Sequence, residues 1–137
     1  MYGSSRLPAI LIGLAALGSV GISLAALFNP AFVAGTVGLE LATNLGRSEI
    51  MTFYGAFYFG MGLFLLVAAV RPELRPAAAM ALTFTALPAA LVRLLTILTF
   101  GLRGPEAWGL FAGEALYSAA GIVSWSLLRK AGGRSRE

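Results

Sequence analysis

The sequence predicts an all-α integral membrane protein, an antiparallel four-helix bundle with both termini on the cytoplasmic side. Three observations carry that prediction. Hydrophobic residues make up 58% of the 137-residue chain and charged residues only 12%, at a mean hydropathy of +0.84, which excludes an ordinary soluble domain. The apolar residues fall into four long runs, at about 7–28, 49–70, 77–100 and 108–128, each long enough to cross a hydrocarbon core of about 30 Å. Finally, four spans place Arg6, Arg71, Arg75, Arg129, Lys130, Arg134 and Arg136 on one side and only Arg47 and Arg103 on the other. That asymmetry is the bias that keeps basic connections cytoplasmic.

The first run contains no charge, and at 7–28 it exceeds the usual length of a signal-peptide core, so it reads as a retained span. Asn29 and Pro30 stop it. Residues 31–46 are moderately apolar, broken by glycine and too short to span, and they suit an interfacial segment at the outer mouth of the bundle. The second run opens on an aromatic face, Phe53, Tyr54, Phe57 and Tyr58 recurring at i and i+4, with Gly55, Gly60 and Gly62 flattening the surface beside it. Such a face anchors a helix at the interface, or cradles a flat ligand. A polar turn at 71–76 leads to the third run, in which Pro88 frees the carbonyl of Phe84 and is expected to kink the helix. Residues 102–107 turn the chain again, Trp108 marks the interface, and Gly109 with Gly113 forms a GxxxG pair in the fourth run. A basic cytoplasmic tail, 129–137, completes a single domain covering residues 1–137 and suits anionic headgroups.

Two ionisable residues stand inside these runs. A charge in hydrocarbon costs about 2.5 to 3.5 kcal/mol on insertion scales and faces a partner or a cavity. Arg93 precedes Gly101 by eight residues, roughly 12 Å of helix, and Glu114 follows Trp108 by six, roughly 9 Å. The two therefore reach similar depths on neighbouring helices. They read as a structural ion pair that docks the last two spans, the rival reading being a proton or anion site. Arg47 and Glu49 are polar residues at the outer interface.

The residue inventory narrows the chemistry. There is no cysteine and no histidine, so thiolate nucleophiles, disulfides and the commonest metal and haem ligands are missing. No metal, cofactor or nucleic-acid partner is expected, and the net charge of +4 is read by side of the membrane. No nucleophile and base pair can be identified, so the chain does not read as an enzyme.

The run from Glu49 to Gly55, continuing through Gly60-Met61-Gly62, together with Arg93 and Glu114, resembles an uncharacterised domain-of-unknown-function family of small four-helix bacterial membrane proteins. Members of that family typically read Asn-Glu-x-Arg followed by Tyr-Gly-Gly. Glu49, Tyr54 and Gly55 match, whereas Ser48, Met51 and Ala56 replace the Asn, the Arg and the second Gly, and Tyr58 occupies an often acidic position. Arg47, one turn before Met51, is the candidate substitute for the expected arginine. The resemblance implies a bacterial inner membrane. More loosely, the architecture is similar to the DoxX-like group, some of whose members are small subunits of quinone-linked oxidoreductases.

The leading expectation is a non-catalytic accessory subunit of a larger membrane complex, meeting lipid and other integral membrane subunits, or a second copy of itself, through its glycine faces. Two alternatives stand beside it. One is a small oligomeric transporter or channel using Arg93 and Glu114; the other is a quinone, carotenoid or lipid binder using the aromatic face.

Overall fold

A computed structural model describes residues 6–133; Arg134 and Arg136 of the basic tail lie outside the described residues. The described residues are almost wholly helical. In order it forms α1 (Arg6–Phe28), α2 (Pro30–Thr36), α3 (Asn44–Ile50), a π-helical stretch (Met51–Phe57), α4 (Tyr58–Val70), a 3₁₀ turn (Pro72–Leu74), α5 (Arg75–Phe100) and α6 (Pro105–Gly133).

Among the described residues, three helices are long and apolar enough to cross a membrane: Arg6–Phe28, the continuous stretch Asn44–Val70, and Pro72–Phe100. The chain thus has the helices of a membrane protein. At 29 residues α6 is long enough to be a fourth, but Glu114, Tyr117, Ser118, Ser124, Trp125, Ser126 and its glycines dilute its apolar content.

Local chemistry sets the boundaries. The Asn29 side chain accepts from Phe32 N at 3.2 Å, so the residue that ends α1 also caps α2, with Pro30 at the first helical position. Thr43 caps α3 by accepting from Gly46 N at 3.0 Å. That cap starts the second long helical stretch at Asn44, earlier than the apolar run alone implies. Residues 31–46 therefore comprise most of α2, a link and the start of α3, and α2 packs against the bundle. Val33 and Ala34 of α2 are buried with Ala26 of α1 and Ile50 of α3.

After α4, Arg75 is buried at the start of α5 and its Nη2 donates to Ala69 O at 3.0 Å in the last turn of α4, where a cation meets the unpaired carbonyls of a helix end. α5 runs through Pro88 as one helix from Arg75 to Phe100. It ends at Gly101, whose φ of 63° closes the helix in the left-handed conformation that glycine adopts without strain.

The core is built from small side chains. Ile12, Ala15 and Ala16 of α1 pack with Leu65 and Ala68 of α4 and Ala78 and Leu82 of α5, which suits a solvent where close backbone approach, not apolar burial, drives association. α1 packs most extensively on α4 and α5 on α6, and the two pairs meet chiefly through α1 and α6. Gly62 faces α1, where a Cβ would stand 2.7 Å from Val20 and 3.3 Å from Ala16 O. Gly121 of α6 faces α5, where a Cβ would stand 2.8 Å from Thr83 N and 2.9 Å from Ala79 O.

These contacts give a paired prediction. Gly121→Ala forces a methyl group into backbone atoms and should lower stability by about 1 to 3 kcal/mol, whereas Gly60→Ala enters open space and should be neutral or slightly stabilising. Thermal unfolding of both variants in one detergent checks this; equal losses would show that α6 does not approach α5 at Gly121.

Candidate functional site: a cavity between the helix pairs

Arg93 projects from the second half of α5 and Glu114 from the second turn after Trp108 in α6. Arg93 Nε donates to Oε1 and Oε2 of Glu114 at 2.9 and 2.8 Å, and Nη2 donates to Oε1 at 2.7 Å. These are short charge-assisted bonds in the fork geometry that arginine offers a carboxylate. Thr96 Oγ1 donates to Arg93 O and Ser118 Oγ to Glu114 O, at 2.9 and 3.0 Å. The hydroxyls on the faces of both charges are thus turned back onto their own helices.

The pair stands at the wall of a cavity of about 420 Å³. Every long helix contributes: Ser19, Ile22 and Ala25 from α1; Tyr54, Tyr58 and Met61 from the π-helical stretch and α4; Ala86 and Ala89 from α5; Gly109, Gly113 and Tyr117 from α6. Phe32, Val33 and Thr36 of α2 line it as well. The size and the apolar lining with few polar groups are those of small-molecule sites.

The π-helical stretch sets the aromatic face. Phe53 and Phe57 stack at 5.5 Å with planes 3° apart, and Tyr54 and Tyr58 stack at 5.8 Å with planes 13° apart. Two parallel columns result. Phe53 is 54% exposed on the outer surface, while both tyrosines line the cavity. Tyr58 lies within electrostatic reach of Glu114 and Arg93.

Tyr117 closes the floor. Its hydroxyl donates to Ala15 O at 2.9 Å, beside Ser19 Oγ, which donates to the same carbonyl at 3.0 Å. Gly18 supplies the room, because a Cβ there would overlap the Tyr117 hydroxyl. The sequence places Tyr117 on the Glu114 face, but its partner lies 102 residues away, beyond any local periodicity.

The glycines divide in function. Gly55 and Gly62 pack against Leu27 and Val20 of α1. Gly60, Gly109 and Gly113, also expected at helix contacts, have nothing within 4 Å of a Cβ position; Gly60 is exposed, and Gly109 and Gly113 line the cavity. The GxxxG pair leaves space that is not filled by another helix. Arg47 and Glu49 are exposed on α3, and Arg47 lines a separate outer pocket with Leu41, Thr43 and Asn44. It therefore supplies no cation to the central cavity in place of Met51.

Removing one member of this partly buried pair strands the other. Arg93→Ala and Glu114→Ala should each lower the folded yield in membranes, and the double variant should lose clearly less than the sum, by a coupling of about 0.5 to 3 kcal/mol. Denaturant titration of the four proteins measures it; strict additivity would mean that the two side chains do not interact.

No curated protein and no solved structure matches the chain. Residues 8–127, nearly the whole of the helical body, match the family described as Domain of unknown function (DUF4345), and the chain belongs to that family.

Proposed function

We propose that the protein binds a small apolar molecule taken from the bilayer, a quinone, a carotenoid or a lipid, in the cavity between its helix pairs. In this reading α6 is a fourth span, the long helices are antiparallel, and both termini are cytoplasmic in a bacterial inner membrane. The cavity is the observation that carries the proposal. It measures about 420 Å³, is lined mainly by apolar side chains and carries a few convergent polar groups, the size and chemistry of a small-molecule site.

The accessory-subunit alternative draws on the glycine faces. Gly55 and Gly62 are taken up by α1, and Gly109 and Gly113 face the cavity, so those glycines now favour a ligand over a partner helix. Transport through the Arg93 and Glu114 pair would require breaking three short hydrogen bonds, and nothing favours it over binding. No enzymatic role is proposed.

Organic extraction of protein purified in mild detergent, followed by mass spectrometry, tests the proposal. One apolar molecule should be recovered at near one per chain. Gly113→Leu, which fills space open in the native protein, should release it while leaving the helical content intact. Recovery of nothing, or of equal amounts from both proteins, would refute the reading.

The topology has its own test. Because the chain contains no cysteine, Glu73→Cys and Leu102→Cys each introduce a single thiol. An impermeant maleimide added to intact cells should label the second and not the first; the reverse pattern would invert the orientation.

A further inference from the structure

We infer that the occupant of the cavity presents a neutral carbonyl oxygen to Arg93 and Tyr58, a deepening that rests on the binding reading above. The free polar groups at the wall are mostly donors. A guanidinium carries five N–H groups, and the bonds to Glu114 use Nε and one hydrogen of Nη2, which leaves three. Tyr54 and Tyr58 line the cavity, and their hydroxyls have no hydrogen-bond partner among the described residues. By contrast, the hydroxyls of Tyr117 and Thr85 are already committed to backbone carbonyls.

Charge balance then selects among acceptors. Arg93 is neutralised by Glu114 at 2.7 Å, so a bound carboxylate or phosphate would bring an uncompensated negative charge into an apolar enclosure. A hydrocarbon would leave the donors unsatisfied. A carbonyl oxygen accepts from them without adding charge. Ile22, Ala25, Phe32 and Val33 supply the apolar surface for the rest of the molecule. Two lipid-phase sources share this chemistry, the ring carbonyl of a quinone and the ester carbonyl of an acyl lipid.

The test uses full-length protein immobilised in a maltoside detergent, which contains no carbonyl group, with four probes: a decyl-substituted benzoquinone, methyl dodecanoate, dodecanoate and dodecane. Both carbonyl probes should be retained at least tenfold more tightly than dodecane. Whichever of the two binds more tightly identifies the source. Tyr58→Phe keeps the ring and removes the donor, and should weaken the carbonyl probes by roughly three- to tenfold with dodecane unchanged. Tyr54→Phe serves as the second variant if Tyr58→Phe does not accumulate. Tighter retention of dodecanoate than of its methyl ester would overturn the carbonyl assignment, as would equal retention of ester and dodecane with neither phenylalanine variant having an effect. Either result leaves the cavity as a binding site. Retention of every probe at the level of Gly113→Leu would overturn the binding reading as well.

Discussion

Between apolar helices neither a guanidinium nor a carboxylate is stable without a partner, and that constraint organises the second half of this chain. Arg93 and Glu114 sit on helices joined by residues 101–104 only, and their bonds fix how α5 lies on α6 at that level. The rest of the contact follows from it. Ala86 and Ala90 are buried on the same face of α5 as Arg93, while Gly121 lets α6 come within backbone range of Thr83. A pair of this kind adds little net stability, because desolvating both charges offsets most of their attraction. What it supplies is register: a slip of one residue would strand both charges.

α1 takes the complementary part. It carries no charge beyond Arg6 at its first residue, and it reaches every other long helix through small side chains. Near its start Ile12, Ala15 and Ala16 close a dense cluster, and near its end Ala26 closes a second one with α2 and α3. Between the two clusters α1 offers Ser19, Ile22 and Ala25, and there the helices do not close. The cavity is therefore bracketed by packing at both ends. Tyr117 marks its lower edge, where a hydrogen bond to Ala15 O ties α6 to α1.

Much of this arrangement is legible in the residues. Length and apolar content locate the long helices because no irregular backbone is tolerated in lipid, and the spacing of Arg93 and Glu114 from their shared turn brings them to one depth because helical rise is fixed. Other features are not local. A GxxxG pair records that side chains are missing at Gly109 and Gly113; it does not record whether a helix or a ligand fills the space. The match of Gly18 to the Tyr117 hydroxyl joins residues at opposite ends of the chain. The cap at Thr43 was readable, since a threonine before a helix-forming run is a start signal, but the glycine-broken composition of 31–46 obscured it.

The π-helical stretch was least legible, and it bears most directly on function. A π-helix is wider than an α-helix, is uncommon beyond a single turn, and occurs frequently at functional sites. Here it spans Met51–Phe57, and its cost is offset by two stacked aromatic pairs and by Leu27 seated against Gly55. Tyr54 and Tyr58 line the same cavity as Arg93 and Glu114. A chain that needed only to dock its helices would gain nothing from a widened helix, from two hydroxyls without partners, or from glycines facing open space. All three occur around one cavity, and the bound molecule proposed above would account for them together.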